Sequence, residues 1–296
     1  MAEVKVAGIF GRTVSEGRKD SIRRLYQGLI SRKAQLCIYE PFYKITRSLL
    51  PENAVVHTFT GHHDIDSGMA CMLTIGGDGT LLEAVTHVRD SKIPLLGINT
   101  GRLGFLSGFS NEEIDLAAAM AINGSYSLDS RSLIRITSRG RYFGETPFAL
   151  NEVTFHKRDT SSMITLHVKI NDRHLNTYWA DGLIISTPTG STGYSLSCGG
   201  PIMMPDSNNL IITPIAPHNL NVRPLVIADS SRLSIEAEVR GKHFMVALDS
   251  RSAIVPAGEK ISIRKAGFTI RLARKPEQEF LHTLREKLMW GTDKRN

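Results

Sequence analysis

The chain has 296 residues, too many for one ordinary domain, and 41% hydrophobic with 22% charged residues is a globular rather than a disordered composition. Its net charge of +7 is compatible with nucleic acid, an anionic membrane surface or a phosphorylated small molecule as partner. Three scattered cysteines exclude a disulfide framework, and no apolar run is long enough to span a membrane. Because the first residues are charged rather than apolar, we expect a cytoplasmic protein.

The first half of the chain alternates strand and helix patterns. Its strand candidates are the apolar runs at residues 4–10, 36–39, 70–75 and 94–98. Its helix candidates, from apolar residues at helical spacing, are residues 22–30, 81–88 and the stretch that ends at 122. This alternation predicts an α/β N-terminal domain, Rossmann-like, with a mostly parallel sheet.

Near residue 124 the pattern changes to short strands. The candidates are residues 133–138, 148–156, 164–170, 183–186, 210–213, 233–239, 244–248 and 261–264. Asn171 and Asp172 form a plausible hairpin turn, and helical spacing returns over residues 276–290. We expect an all-β, sandwich-like C-terminal domain. The expected divisions are residues 1–124, 125–266 and 267–296.

A glycine-rich segment separates a predicted strand from a predicted helix, and it consists of Gly76, Gly77, Asp78, Gly79 and Thr80. In open parallel sheets, ligands bind at this end of a strand. Glycines let main-chain N–H groups approach a phosphate, and a helix start adds positive dipole. A carboxylate in such a loop can take or orient the proton of an attacking hydroxyl. A tight turn capped by Asp is the commoner arrangement, but three surrounding glycines favour a function for Asp78.

Two later segments are also rich in polar groups. Asn151 and Glu152 place an amide beside a carboxylate, which can hold the two hydroxyls of a ribose. On their own they are more often a strand end facing water. Residues 186–200 are rich in Ser, Thr and Gly, as in a flexible linker. Pro188 stiffens this stretch and Tyr194 offers a stacking face, so we favour binding of a polar, phosphate-bearing ligand.

Several common signatures are absent from the sequence. It has no P-loop, no G-x-G-x-x-G dinucleotide fingerprint, no H-E-x-x-H and no G-x-S-x-G. Residues 62–66 contain metal-capable side chains, but flanking glycines indicate an exposed loop rather than a metal site.

The polar segments together resemble the bacterial NAD kinase family in order and spacing. The matching segments are residues 76–80, 99–105, 151–152, 181–192 and 218–224. The resemblance implies an enzyme that transfers the γ-phosphoryl group of ATP to the 2′-hydroxyl of the adenosine ribose of NAD, giving NADP. It also implies a divalent metal ion, Mg²⁺, with ATP or polyphosphate as donor. The C-terminal segment would pack back on the N-terminal domain, and the chain would form a homotetramer or homodimer.

The resemblance also implies a role for particular residues. Asp78 would be the catalytic base, and the phosphate loop would comprise Gly76, Gly77, Gly79 and Thr80. The implied substrate-binding residues are Gly79, Phe105, Asn151, Glu152, Ser162, Trp179, Asp181, Thr192, Gly193, Tyr194, Ser195, Leu196, Ser197 and Arg251.

Four of these positions depart from the family pattern. Gly193 stands where Ala is usual, Ser162 where His or Lys occurs, and Arg251 where Gln is common. Trp179 stands where Arg is common, at a position linked in the family to the choice of NAD over NADH. This departure leaves the acceptor preference open.

Three other classes of protein share some of these features. Lipid kinases of the diacylglycerol or sphingosine type carry a similar glycine segment, but a membrane-binding helix and lipidation signal are absent here. A non-catalytic dinucleotide sensor would share the fold, although Asp78 argues against it. Nucleic-acid binding is disfavoured because the basic residues are scattered and form no stripe.

Overall fold

The computed structural model describes residues 5–66, 68–101, 104–158 and 162–289. The chain divides into two compact units, one made of residues 1–130 and 270–296 and the other of residues 131–269. The boundaries expected at 124/125 and 266/267 lie a few residues before these divisions and stay predictions.

Parallel strands and helices alternate in the first unit. Its strands are β1 (Val6–Gly11), β2 (Gln35–Tyr39), β3 (Val56–Phe59), β4 (Met69–Gly76), β5 (Leu95–Asn99) and β6 (Phe109–Ser110). Its helices before residue 130 are α1 (Lys19–Ile30), α2 (Glu40–Thr46), α3 (Asp78–Val88) and α4 (Ile114–Asn123). The sheet order is β5, β4, β1, β2, β3, and all these pairs are parallel.

Burial explains why the first unit adopts this arrangement. Residues 71–75 of β4 are all buried, as expected for a central strand of a parallel sheet. Ile22, Leu25 and Leu29 line one buried face of α1 at helical spacing. The chain leaves β4 at Gly76 and enters α3 at Asp78, so the glycine segment lies at the carboxyl end of a central strand.

Antiparallel strands build the second unit. The strands from residue 127 onward are β7 (Ser127–Thr137), β8 (Phe148–Ala149), β9 (Glu152–His156), β10 (Ile164–Ile170), β11 (Arg173–Ala180), β12 (Gly182–Ser186), β13 (Asn209–Ile215), β14 (Leu225–Ala228), β15 (Leu233–Glu238), β16 (His243–Leu248), β17 (Arg251–Pro256) and β18 (Lys260–Arg274). One sheet contains β11, β10, β15 and the first part of β18. The other has the order β14, β13, β12, β9, β16, β17. Both sheets contribute to one apolar core, for example Val168 and Phe155.

Two helices complete the described chain. The short helix α5 (Tyr194–Ser197) follows β12, and α6 (Phe280–Leu288) belongs to the first unit. Strands β7 and β18 each continue from one unit into the other, and Leu272 of β18 pairs in parallel with Leu95 of β5. Within the described ranges, no helix is both long and apolar enough to cross a bilayer.

The fold class expected from the sequence is confirmed: an α/β N-terminal part and an all-β, sandwich-like C-terminal part. The hairpin turn is also confirmed, with φ of 49° at Asn171 and 65° at Asp172, as a type I′ turn requires. The single strand expected over residues 148–156 is wrong, because it is interrupted at Leu150 and Asn151. Their N–H groups donate to the side chain of Asp249 instead of to a neighbouring strand.

Candidate active site

Asp78 joins the glycine segment to a second turn of the first unit. Its carboxylate accepts hydrogen bonds from the N–H groups of three consecutive residues, Phe105 at 2.8 Å, Leu106 at 3.2 Å and Ser107 at 3.3 Å. The hydroxyl of Ser107 donates to the same carboxylate at 3.3 Å. Asp78 is therefore held by main-chain donors of the 105–107 turn.

Glycine is required at two positions around Asp78. A Cβ atom at Gly104 would overlap the Asp78 carboxylate. Gly76 has a φ of +154°, and a Cβ atom there would overlap the side chain of Thr80. A Cβ atom at Gly77 or Gly79 would meet no atom within 4 Å. The main chain at Gly77 and Gly79 is consequently open to a ligand at the start of α3, where N–H groups favour anions.

Asn151 and Glu152 lie at the start of β9 in the second unit. Glu152 is only 9% exposed. Asn151 Oδ1 and Glu152 Oε2 are both buried, and neither has a hydrogen-bond partner among the described residues. Buried polar atoms are nearly always paired in native structures. These two oxygens therefore leave hydrogen-bonding capacity unused at the start of β9.

Asp249, in the turn between β16 and β17, holds this segment in place. Its carboxylate accepts hydrogen bonds from the N–H groups of Leu150 at 2.9 Å, Asn151 at 2.8 Å and Glu152 at 3.2 Å. The N–H of Asp249 donates back to the carbonyl oxygen of Glu152 at 3.1 Å. The main chain of residues 150–152 thus takes its conformation from one carboxylate.

Burial and charge together change the ionisation of Glu152. Burial raises the pKa of Glu152 to about 8, and the negative charge of Asp249 contributes in the same direction. Burial also raises the pKa of Asp249, although the three N–H groups and the charge of Arg251 oppose that rise. Glu152 is therefore largely neutral at pH 7.

The polar stretch after β12 packs directly on Asn151 and Glu152. A Cβ atom at Gly190 would overlap the main chain of Asn151. A Cβ atom at Gly193 would lie 3.2 Å from Glu152 Oε2 and 3.6 Å from Asn151 Nδ2. The structure thus brings three of the expected binding residues, at 151, 152 and 193, into one cluster.

Several hydroxyl groups of this stretch hold the chain together rather than point to a ligand. Thr187 Oγ1 donates to the carbonyl of Leu150 at 2.5 Å, and Ser191 Oγ donates to that of Pro188 at 2.7 Å. Ser195 is buried, and its hydroxyl lies 2.8 Å from Thr213 Oγ1. The expected loop is a 3-10 turn followed by α5. Its internal hydroxyl bonds give the ligand side of the segment a fixed shape.

Both parts of the chain match known protein families. Residues 8–126 match the ATP-NAD kinase N-terminal domain, and residues 150–275 match the ATP-NAD kinase C-terminal domain. The chain belongs to the ATP-NAD kinase family. The family resemblance found in the motifs is confirmed, and with it the class of enzyme, an NAD kinase.

Curated relatives agree over nearly the full length. The NAD kinase of Cytophaga hutchinsonii is 46% identical over 98% of this chain and 100% of its own, and that of Bacteroides fragilis is 41% identical over 97% and 98%. Yeast NADH kinase, solved with NADH, has a TM-score of 0.86 at 22% identity over 98% of this chain and 89% of its own. An Archaeoglobus fulgidus NAD kinase, solved with ATP, has a TM-score of 0.73 at 23% identity over 96% and 98%. The two solved structures share the fold.

Asp181 and Tyr194, both expected to bind substrate in this kinase, have partners of their own. Asp181 Oδ1 lies 2.5 Å from Lys157 Nζ, so its negative charge is partly neutralised. The ring of Tyr194 stacks on that of His156, with centroids 5.8 Å apart, and the residue is 38% exposed. The aromatic face expected at Tyr194 is therefore partly covered.

Trp179 remains accessible in the second unit. Its ring centroid lies 4.4 Å from that of His218, and the His218 N–H donates to the Trp179 carbonyl at 2.9 Å. The residue is nevertheless 51% exposed. The Trp179 indole therefore contacts His218 and still keeps about half of its surface exposed.

Other expected binding residues occupy varied environments. The Arg251 guanidinium donates to the carbonyls of Thr146 at 2.6 Å and Phe148 at 2.5 Å, and burial lowers its pKa. The Phe105 carbonyl accepts from Arg274 at 3.1 Å. Ser197 is exposed, whereas three others are partly buried: Ser162, Thr192 and Leu196. Their roles toward the dinucleotide stay predictions.

Sequence reasoning missed two residues of this site, Lys157 and Asp249. Each acts on an expected residue, Lys157 on Asp181 and Asp249 on Glu152. Asp249 directly follows a predicted strand, which is a weak signal for a hairpin turn. No spacing in the sequence indicates its partners, which are 97 to 99 positions away.

Proposed function

We propose that this NAD kinase transfers the γ-phosphoryl group of ATP to the 2′-hydroxyl of the adenosine ribose of NAD, giving NADP and ADP. The observation that carries the assignment of the acceptor site is the pair of buried oxygens without partners, Asn151 Oδ1 and Glu152 Oε2. Two neighbouring ribose hydroxyls supply the hydrogen-bonding groups that these oxygens lack. The rigid turn at residues 189–193 lies against the same pair and limits what fits there.

In the proposed reaction the ribose 2′-oxygen forms a bond to the γ-phosphorus. The bond from the γ-phosphorus to the β–γ bridging oxygen breaks, ADP leaves, and the hydroxyl proton passes to Asp78. Phosphoryl transfer proceeds through a loose transition state, so positioning and charge contribute more than early proton removal. Since the Asp78 carboxylate is bonded to residues 105–107, one of its oxygens must exchange such a bond for the ribose hydroxyl.

The donor side of the proposal involves a divalent cation. Among the residues that the structure describes, no group of three or more His, Cys, Asp or Glu side chains could hold a metal ion. We therefore propose that Mg²⁺ enters with the phosphates of ATP, where it neutralises their charge. From the family resemblance we also propose a homodimer or homotetramer in the cytoplasm, with polyphosphate as a second donor.

The direct test is formation of NADP by the purified full chain from NAD, ATP and Mg²⁺. NADH as acceptor and polyphosphate as donor are run in parallel. Glu152→Ala and Asn151→Ala each remove one hydrogen-bonding group, which costs about 1–3 kcal/mol, so we expect KM for NAD to rise about 5- to 150-fold. A chain that binds NAD but forms no NADP with either donor would be a sensor. Phosphorylation of diacylglycerol instead of NAD would indicate a lipid kinase.

A further inference from the structure

Two acidic residues meet at the start of β9, where the N–H of Glu152 donates to the Asp249 carboxylate, and the surroundings of their carboxyl groups differ. Asp249 is surrounded by donors, with the N–H of Leu150 bonded to Oδ2 and those of Asn151 and Glu152 bonded to Oδ1. A carboxylate accepts through both oxygens, whereas a protonated carboxyl group uses one oxygen as a donor. Donors on both oxygens therefore assign the negative charge to Asp249.

Glu152 has the opposite environment. Its Oε2 is buried without a partner among the described residues. A carboxylate oxygen that is buried without a hydrogen bond, near a second negative charge, is strongly unfavourable. Of the two neighbouring acids, Glu152 is the one that keeps its proton near neutral pH, and a raised pKa agrees with this assignment.

We propose that Asp249 is a positioning residue that makes Glu152 a hydrogen-bond donor to the dinucleotide. Asp249 fixes the main chain of residues 150–152, and its charge adds to the effect of burial in keeping Glu152 protonated. The proposal rests on the proposed function only where it takes residues 151 and 152 to bind the dinucleotide. Asn151 Oδ1 then accepts a hydrogen bond from one ribose hydroxyl, while Glu152 donates one to the other.

Other elements packed around Glu152 bring few titratable groups to it. β12 pairs with β9 and places Ser186 opposite Glu152, and β16 pairs with β9 on the other side. α5 contributes the phenol of Tyr194, whose pKa is raised chiefly by burial. Arg131 of β7 donates at 3.2 Å to Oγ1 of Thr189, which lies in the turn that packs on residues 151 and 152.

Arg251 is the cation nearest along the chain to Asp249, and it does not pair with Glu152. Its two bonded nitrogens donate to main-chain carbonyls of Thr146 and Phe148. Burial raises the pKa of Asp249, and the charge of Arg251 partly offsets that rise, which helps to keep Asp249 ionised. The surroundings thus favour one anion and one neutral acid.

The first measurement is a pH titration of the glutamate carboxyl carbons by ¹³C NMR in the full chain without ligand. The signal that disappears in Glu152→Gln belongs to Glu152. We expect its midpoint near pH 8 instead of the ordinary 4.5. NAD affinity, measured by calorimetry over the same range, should be constant below pH 7 and fall above pH 8. Glu152→Gln still donates a hydrogen bond but cannot ionise, so its affinity should show no such fall above pH 8.

The second measurement uses Asp249→Asn with Asp172→Asn as its matched control. Both aspartates lie in hairpin turns of the second unit with positive φ, 52° at Asp249 and 65° at Asp172, a conformation that Asn tolerates. Asp172 pairs with Arg232 rather than with residues 150–152. We expect Asp249→Asn to lower the Glu152 midpoint by about one pH unit or more and to shift the affinity profile equally. Asp172→Asn should change neither.

A wild-type Glu152 midpoint near 4.5 would overturn the proposal, and that result does not depend on whether Asp249→Asn folds. Equal shifts in Asp249→Asn and Asp172→Asn would overturn it as well. If the wild-type chain bound no NAD, the proposed function would fail, while the titration of Glu152 would still decide how the two acids share their charge.

Discussion

The Asp78 carboxylate holds a turn of the chain, and in the proposed reaction it also takes the proton of the attacking hydroxyl. Its two oxygens accept N–H bonds from residues 105–107, and the expected chemistry requires one of them to accept a proton. An asparagine has one acceptor oxygen, and its NH₂ group would face an N–H donor. Asp78→Asn therefore changes the 105–107 turn as well as the basicity.

We expect Asp78→Asn to reduce kcat by about 10²- to 10⁴-fold, since loss of a general base has effects of this size. We expect a reduction in kcat near the smaller end of this range, because the loose transition state needs little early proton removal. NADP formation at saturating NAD and ATP measures kcat, and hydrogen exchange at residues 105–107 measures the order of the turn.

Ser107→Ala separates the two tasks because it removes the hydroxyl bond at 3.3 Å and leaves the carboxylate intact. The expected result is a kcat close to wild type and a stability loss of about 0.5–1.5 kcal/mol. If Ser107→Ala lost as much activity as Asp78→Asn, the turn rather than the proton would limit the reaction. An Asp78→Asn chain with near-normal kcat would exclude Asp78 as the base.

At the scale of elements, the site depends on how closely the 189–192 turn approaches β9. Gly190 sits against the main chain of Asn151, where a Cβ atom has no flexible neighbour to displace. Thr187 bonds to the same segment through its N–H at 2.9 Å from the Asn151 carbonyl. Strand and turn are thus coupled, and a displacement of one moves the other.

Gly190→Ala should separate this turn from β9. Overpacking against main chain costs about 1–3 kcal/mol, and we expect a loss of that size in the free energy of unfolding together with weaker NAD binding. Gly267→Ala is the control in the same unit, because a Cβ atom there meets nothing within 4 Å. Urea denaturation and calorimetric titration with NAD compare the two chains. Unchanged NAD affinity in Gly190→Ala would show that the turn does not shape the site.

The sequence allowed prediction of those elements that local patterns determine. The buried run of β4 and the Asn171–Asp172 turn depend on neighbouring residues, and both were predicted. The interruption of the strand at Leu150 and Asn151 depends on Asp249, nearly a hundred positions away, and was missed. Other elements with weaker local signals were also missed, namely α2, β3, β6, α5, β14 and β17.

The same distinction holds for the candidate site. Residue type and position after a strand predicted a role for Asp78, whereas Asn151 and Glu152 were predicted as binding residues only through the family resemblance. The charged neighbours of Asp181 and Glu152 were not predicted, because Lys157 and Asp249 reach these residues only in the folded chain. Motifs identified residues whose side chains can take part in chemistry, whereas the electrostatic environment of these residues depends on tertiary contacts.

At the scale of the whole molecule, the phenols and thiols whose pKa is raised most lie in the first unit. In the first unit, burial raises the pKa of Tyr26 and of Tyr126 to about 12 and that of Cys37 to about 11. Each keeps its proton in the folded chain and loses it at lower pH when unfolded. Unfolding then releases protons, so stability falls as pH rises from the unfolded pKa toward the folded one.

We expect alkaline pH to destabilise the first unit, and Tyr26 to account for a measurable share. A phenol whose pKa rises from 10.0 to about 12 contributes about 2–3 kcal/mol, fully present below pH 10 and lost as pH approaches 12. Urea denaturation at pH 8, 10 and 11 should show a shallower loss in Tyr26→Phe than in wild type. The variant also lacks the 2.7 Å bond to Thr46, which lowers its stability below pH 10, so the slopes rather than the absolute values are compared.

Subtilisin cleavage at pH 10–11, mapped by mass spectrometry, should begin in residues 5–130. Equal slopes in both chains, or first cuts within residues 131–269, would contradict this account, because the proton released on unfolding would then come from another group.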